Sequence, residues 1–397
     1  MYSGRKARRM GDLNTDLHVE VGKSQLNKHG EELCGDSVEV GEGPGSTIVV
    51  LSDGLGSGVK ANILSSLTVR MIATMLKGGL ALEDVIDTLA RTLPVCEKRH
   101  LAYSTFSILQ VFRDGSAYLA EYDSPPAFIG RGRDLRPVPR SECVVGGRVV
   151  KEAFFSVQDG DWIVMVSDGI LHAGIGGVWN TGWGWDRVAN YIQSVAAWAE
   201  TAHEFAEEIA RVTDKLYGQK PGDDATAVAI RIRRPRTLTM LVGPPVDRRD
   251  DPVVVGKLVE EPGKKVVCGG TTGNMVARIL GKPITVDLKS QDRRVPPTAE
   301  IEGIDLVTEG MLTLSYTLEK LKAGAKLRDV AWKRDGASRL ASVLLEADSV
   351  RIIVGRAINP AHQSPDVPVT LALKHKIVDE LAQVLRSMGK TVRVECY

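Results

Sequence analysis

Ile48-Val49-Val50-Leu51-Ser52-Asp53-Gly54 and Ile163-Val164-Met165-Val166-Ser167-Asp168-Gly169 share one pattern, four apolar residues followed by Ser-Asp-Gly. A short apolar run closed by turn residues reads as a buried strand. Each copy therefore delivers an aspartate at the end of a rigid element. Two further acidic points lie at strand edges or ends, Asp36 in Cys34-Gly35-Asp36-Ser37 and the pair Asp223-Asp224 in Pro221-Gly222-Asp223-Asp224-Ala225-Thr226. Carboxylates that converge in a partly buried place repel one another unless a cation neutralises them. An oxygen-only set suits hard divalent ions such as Mg²⁺ or Mn²⁺. Two such ions a few Å apart lower the pKa of a bridging water and clamp a phosphoryl group. The plainer alternative is that each Asp-Gly merely turns the chain after a strand, the reading given to Asp114-Gly115 and Asp159-Gly160.

Outward from these runs, the first 235 residues alternate short strands with two helical blocks. Strands are predicted over Leu17–Val21, Ser46–Leu51, Ser104–Phe112, Ala117–Tyr122, Ala127–Arg131, Val149–Val157, Asp161–Val166 and Ala225–Ile232. Apolar spacing on one face predicts helices over Ala61–Leu76 and Leu82–Leu93, and again near Trp185–Ala197 and Thr201–Leu216. Many strands with two helix pairs imply two packed sheets flanked by helices. Between them, residues 174–185 (Gly-Ile-Gly-Gly-Val-Trp-Asn-Thr-Gly-Trp-Gly-Trp) form an unusual loop, read either as a flap or docking surface or as partly buried aromatics.

Arg233-Arg234-Pro235-Arg236 reads as a linker, and beyond it strands and helices alternate to the C-terminus. That rhythm predicts a second α/β domain over 236–397 with a mostly parallel, doubly wound sheet. Within it, Cys268-Gly269-Gly270-Thr271-Thr272-Gly273-Asn274 follows a strand, and a helix is predicted from Asn274. Small residues there leave backbone N–H groups free to meet an anion or small ligand over Gly269–Asn274. A tight strand-to-helix turn explains the same residues, and the stretch fits neither the dinucleotide fingerprint nor a Walker loop. Thr308-Glu309-Gly310 and Gly355-Arg356 also follow predicted strands, so a crevice at the strand C-terminal ends is one reading.

The 51 Lys and Arg against 50 Asp and Glu leave a net charge of +1, no electrostatic footprint for nucleic acid or an acidic membrane. The basic opening Arg5-Lys6-Ala7-Arg8-Arg9 reads as a solvated terminus. The 5 cysteines form no CxxC pair, which argues against a disulfide framework or structural zinc. With no signal-like opening and no apolar run near the roughly 20 residues that span a bilayer, the expected location is the reducing cytoplasm.

The acidic segments as a set resemble the metal-dependent protein phosphatase family (PPM, type 2C), most closely its bacterial sporulation-phosphatase (SpoIIE) branch. The stretches that carry the likeness are CGDS at 34–37, VVLSDGLGSGVKA at 49–61, SPPAFIGRG at 124–132, DGDWIVMVSDGI at 159–170 and GDDATAVAIRI at 222–232. The resemblance covers about residues 15–233; nothing comparable is recognised in the second half. It implies an αββα sandwich around a centre of two Mn²⁺ or Mg²⁺ ions. It also implies that Asp53 bridges the ions, with the Gly54 carbonyl on one and Asp168 and Asp223 on the other. Asp36 would bind directly or through water, and Asp224 would support the set. The implied reaction is hydrolysis of phosphoserine or phosphothreonine by metal-activated water, without a phosphoenzyme. The implied partner is a phosphorylated protein, for the bacterial branch an anti-sigma-factor antagonist or its like.

Two family features are not found: the early Arg that holds the phosphate in eukaryotic members, and an identifiable general-acid His. His100 and His172 lie in or near the domain, where surface or packing roles are the ordinary reading. The helices at 61–76 and 82–93 match a switch element of the sporulation branch. Two other readings stand beside the phosphatase: a catalytically silent signalling scaffold, and a small-molecule phosphatase or ligand sensor acting through the second domain.

Overall fold

The structure, a computed structural model, describes residues 17–92, 104–145, 148–290, 294–357 and 367–397. Arg5–Arg9, Cys96 and His100 lie outside the described residues. The chain divides into two compact units, Met1–Arg234 and Pro235–Tyr397.

The first unit runs β1 (His18–Leu26), β2 (Asp36–Gly43), β3 (Ser46–Asp53), α1 (Gly58–Lys77), α2 (Leu82–Thr92), β4 (Phe106–Phe112), β5 (Ser116–Tyr122) and β6 (Phe128–Arg131). It continues through β7 (Asp134–Leu135), β8 (Ser141–Val145), β9 (Arg148–Ser156), β10 (Asp161–Val166), α3 (Asp168–Leu171), α4 (Trp185–Ala196), α5 (Ala202–Leu216) and β11 (Ala225–Arg233). Two antiparallel sheets form, in the orders β1-β11-β10-β6-β7 and β2-β3-β4-β5-β9-β8. Strand alternation explains why the two diagnostic runs are apolar throughout. Val49 and Leu51 of β3 meet Ile163 and Met165 of β10 between the sheets. Ile48 and Val50 turn the other way onto Val69, Ile72 and Leu76 of α1 and Val85 and Leu89 of α2. Val164 and Val166 turn onto Val188 and Ile192 of α4 and Phe205 and Ile209 of α5. The result is a four-layer αββα sandwich, the architecture expected.

Sequence reading passed over β2, β7 and β8, which carry Gly, Glu and exposed residues rather than apolar runs. It also began α1 late: the first turn faces solvent, with Val59 58% exposed, so it shows no core-facing spacing. The aromatic side chains of the Trp-rich loop turn inward, while Ile175 and Val178 stay exposed. Trp183 is buried, Trp185 stacks on Phe128 with centroids 4.8 Å apart and donates from Nε1 to the Pro126 carbonyl at 3.0 Å, and Arg187 lies over Trp179.

The second unit runs β12 (Thr237–Val242), α6 (Asp251–Glu260), β13 (Lys264–Cys268), α7 (Gly270–Leu280), β14 (Ile284–Asp287), β15 (Thr298–Ile301) and β16 (Ile304–Thr308). After these come α8 (Met311–Lys322), α9 (Leu327–Val330), α10 (Gly336–Glu346), β17 (Ser349–Val354), α11 (Val367–Ser387) and β18 (Thr391–Cys396). One sheet has the order β14-β15-β16-β13-β12-β17-β18. The stretch from β16 to β18 is parallel, while β14 and β15 add an antiparallel edge. Core clusters cover both faces, α8, α10 and α11 on one and α6 and α7 on the other. The helix expected from Asn274 begins at Gly270 instead. Gly and Thr are weak helix formers, so that first turn is set by the strand that feeds it rather than by its own propensity.

Candidate metal centre

The hairpin of β2 and β3 sets Asp36 directly opposite Asp53 at its open end. From the other sheet, β10 ends at Val166 and its chain turns through Ser167 into Asp168, while Asp223 and Asp224 lead into β11. Ser167 N–H donates to the Thr226 carbonyl at 3.0 Å, and Thr226 N–H donates to Ser167 Oγ at 2.8 Å, which locks these two segments together. The same hydroxyls reach across to the first sheet. Ser167 Oγ donates to Asp36 Oδ2 at 2.7 Å and Thr226 Oγ1 does so at 2.6 Å. The carboxylate at the start of β2 is thus oriented by the facing sheet, and its other oxygen, Oδ1, is buried without a partner.

Asp224 repeats the arrangement. Its Oδ1 accepts the Lys28 amide at 3.0 Å, and its buried Oδ2 has no partner. Asp53 is fixed by its backbone: its carbonyl accepts the Thr105 amide at 2.9 Å and the Ser104 hydroxyl at 3.1 Å. Two glycines admit the close contacts. A Cβ on Gly169 would lie 2.1 Å from the Asp224 carbonyl oxygen, and one on Gly54 would lie 2.2 Å from the Ala61 carbonyl oxygen. Gly54 therefore seats the α1 helix against the loop that follows Asp53. Asn62 of α1 adds a bond to the Cys34 carbonyl at 2.8 Å, and Ser65 meets the Ser37 hydroxyl at 2.8 Å.

The electrostatics identify these carboxylates as one group. Burial raises Asp53 well above the ordinary carboxylate range, and Asp36, Asp168 and Asp223 raise it further. Burial also raises Asp36 and Asp223, against the hydroxyl bonds of Thr226 and Ser167 on the first and the charge of Lys28 on the second. The Cys34 thiol is pushed up to about 12 by burial and then by Asp36, which keeps it protonated and unreactive. His172 Nδ1 stands 3.8 Å from Asp168 Oδ2 at the exposed rim.

Partnerless buried oxygens on Asp36 and Asp224, with carboxylates that raise one another, fit a hard divalent cation. Among the described residues, no three His, Cys, Asp or Glu side chains yet close on one point as a finished ligand set.

Asp36, Asp53, Asp168, Asp223 and Asp224, the acidic residues expected at the centre, lie in this one region. What sequence reading missed are the supports: Ser167 and Thr226, visible only as parts of Ser-Asp-Gly and Asp-x-x-Thr, Gln25, whose amide bonds the Asp36 carbonyl at 3.2 Å, and Lys28. No local signal marks Lys28, because it reaches the centre from a loop almost 200 residues away in sequence from its partner.

Comparison with known proteins bears on the same segment. The family described as Stage II sporulation protein E (SpoIIE) matches residues 43–233. Stage II sporulation protein E of Bacillus subtilis (strain 168) is 28% identical over 160 residues, 38% of this chain and 19% of that protein. Its Priestia megaterium counterpart is 25% identical over 160 residues, 38% of this chain and 27% of that one. The chain thus spans about a fifth to a quarter of the length of these curated relatives. The solved PP2C phosphatase domain and regulatory fragment of the Bacillus subtilis protein aligns with a TM-score of 0.47 and 24% identity, over 55% of this chain and 64% of that one. Residues 43–233 of this chain are a SpoIIE-family domain, of the metal-dependent protein phosphatase type.

Proposed function

We propose that the first unit is a metal-dependent phosphatase that hydrolyses phosphoserine or phosphothreonine in a partner protein. The observation that carries this reading is the paired set of orphaned oxygens, Asp36 Oδ1 and Asp224 Oδ2, in a group of carboxylates that raise one another. In this reading Asp53, the Gly54 carbonyl, Asp168 and Asp223 would hold two Mn²⁺ or Mg²⁺ ions. Asp36 and Asp224 complete the surroundings. When bound, the ions supply Lewis-acid activation of water and neutralise phosphoryl charge. The chain's own part is to hold carboxylates on strand ends so that little reorganisation is needed. Ser167 and Thr226 keep Asp36 turned inward, and Lys28 adds a positive charge at the rim.

The partner proposed is a phosphorylated signalling protein, of the anti-sigma-factor-antagonist kind that the family likeness suggests. The second unit would regulate activity or select that partner. We place the reaction in the cytoplasm, supported by the free thiols of Cys34, Cys143, Cys268 and Cys396.

The test is hydrolysis of p-nitrophenyl phosphate and a phosphoserine peptide with Mn²⁺, with Mg²⁺ and with chelator, alongside Asp53→Asn and Asp168→Asn. Metal-dependent turnover lost in both variants supports the reading. Folded protein without turnover in either metal would favour a silent scaffold.

A further inference from the structure

Tyr217 follows α5 and closes its last turn, where its amide donates to the Thr213 carbonyl at 3.1 Å. Its side chain is half-buried and packs against the core that α4 and α5 share with β10 and β11. The far edge of the ring reaches the acidic region. Its hydroxyl donates to the Gly169 carbonyl at 2.8 Å. A Cβ built on Gly222 would lie 3.4 Å from the ring's Cε1, so the same ring covers the residue before Asp223. One side chain thus meets the sequence neighbours of both Asp168 and Asp223. Burial first, then the charges of Asp223 and Asp168, raise its phenol, which places both carboxylates within electrostatic reach of it.

The two acidic turns are anchored on different sides. The Asp168 turn is held upstream, where Ser167 and Thr226 exchange two bonds, and the Tyr217 hydroxyl holds it downstream at Gly169. The Asp223 turn is held from the loop after β1, where the His29 amide donates to the Pro221 carbonyl at 2.8 Å and the Lys28 amide to Asp224 Oδ1 at 3.0 Å. The Tyr217 ring closes its other side, toward α5. Contact between the turns is tight, since a Cβ on Gly169 would lie 2.1 Å from the Asp224 carbonyl oxygen. A shift of either turn therefore moves both carboxylates. A tyrosine that only packs would also satisfy its hydroxyl, and Tyr191 is that case in the same core, bonded to Glu208 of α5.

We propose that Tyr217 is a positioning residue of the metal centre, whose hydroxyl and ring fix the Asp168 and Asp223 turns relative to each other so that both carboxylates are preset for a divalent cation. The inference rests on the metal-dependent reading above and adds to it a residue outside the acidic set. Carboxylates already held in place bind a cation with less reorganisation, and removing a supporting contact loosens them without removing a ligand.

The test is Mn²⁺ titration of the full chain followed by electron paramagnetic resonance, which counts free Mn²⁺ and needs no turnover. Tyr217→Phe keeps the ring over Gly222 and removes only the hydroxyl. Tyr191→Phe removes a hydroxyl from the same core and serves as the control. Tyr217→Phe is expected to weaken Mn²⁺ binding about three- to tenfold, the scale of one lost hydrogen bond, while Tyr191→Phe binds as the wild type does. The Mn²⁺ concentration for half-maximal hydrolysis of p-nitrophenyl phosphate should rise by the same factor. Thermal melting in chelator separates positioning from folding. A Tyr217→Phe protein that melts lower yet binds Mn²⁺ as tightly as the wild type would overturn the inference and leave the phosphatase reading standing. Equal weakening by both Phe variants would also overturn it, since the loss would then come from the shared core. A wild type that takes up no Mn²⁺ would overturn the phosphatase reading together with the inference.

Discussion

Lys28 Nζ lies 3.9 Å from Asp223 Oδ1 while the Lys28 amide donates to Asp224 Oδ1 at 3.0 Å, so one residue touches both acidic neighbours. Its ammonium is part-exposed and faces the rim where a phosphoryl group would arrive. Half-exposed ion pairs are worth about 0.2–1 kcal/mol, so the effect of removing the charge is modest. Lys28→Ala is expected to raise KM for a phosphoserine peptide by about two- to fivefold with little change in kcat, and to weaken product inhibition by phosphate in parallel. Mn²⁺ affinity should not fall, because Lys28 competes with a cation for Asp223. A fall in kcat at unchanged KM would exclude this role.

Asp53 opposes folding when no metal is present. Its carboxyl is raised in the folded state to about 9, first by burial and then by Asp36. A raised carboxyl keeps its proton in the folded chain while the unfolded chain ionises, so stability falls as pH climbs from about 4 toward that value. Asp53→Asn removes this residue's share of the dependence and leaves the smaller shares of Asp36 and Asp223. In chelator at pH 8 the variant is expected to melt above the wild type, by about 2–4 °C for each kcal/mol recovered, and to gain nothing from added Mn²⁺. Equal melting curves in chelator at pH 5 and pH 8 for the wild type would refute the argument.

Gly54 couples α1 to the acidic loop through a backbone contact that cannot yield. A Cβ there meets the Ala61 carbonyl oxygen at 2.2 Å and the Ala61 Cα at 2.9 Å. Gly54→Ala should cost about 1–3 kcal/mol by overpacking and should weaken Mn²⁺ binding by moving the loop after Asp53. Denaturant unfolding together with a metal titration checks both. Ala at Gly45, where a Cβ meets nothing, is the matching turn-glycine control; φ there is +69°, so it reports backbone strain alone.

Glu395 closes an ion cluster in the second unit. It takes Arg351 at 2.9 Å, Lys257 at 3.1 Å and Arg393 at 2.9 Å, joining α6, β17 and β18. Arg351 first, then Lys257, lowers its carboxyl to about 2. A depressed carboxyl contributes stability above the ordinary carboxylate range and loses it as pH falls toward that value. Glu395→Gln should therefore be less stable than wild type at pH 7, with the gap closing between about pH 4 and pH 2. Urea unfolding at several pH values reads this directly; a gap constant with pH would refute it.

How much of this was legible in the sequence follows from the range of each interaction. The two apolar runs ending in Ser-Asp-Gly announced buried strands and their terminal carboxylates, because burial on both faces leaves no polar alternation to write. The break at Arg233–Arg236 and the change of rhythm beyond it likewise lie in local pattern. The strands β2 and β8 were not legible, since an edge strand with Gly and Glu has no apolar period of its own and exists by pairing. The first turn of α7 was misread for the same reason: Gly-Gly-Thr-Thr has little intrinsic helix preference, and the strand before it sets its direction.

The sequence alone determined which residue types stand at strand ends, the layer pattern of each half, and an acidic set whose oxygen ligands suit a hard divalent cation. Only the tertiary structure decided that Asp36 faces Asp53 across a hairpin, that Ser167 and Thr226 of the opposite sheet turn it inward, that Lys28 reaches Asp223, and that Tyr217 reaches Gly169. Local preference is written residue by residue along the chain, whereas these contacts join segments distant in sequence, and their positions are fixed only when two sheets, or two strands of one sheet, pack into register.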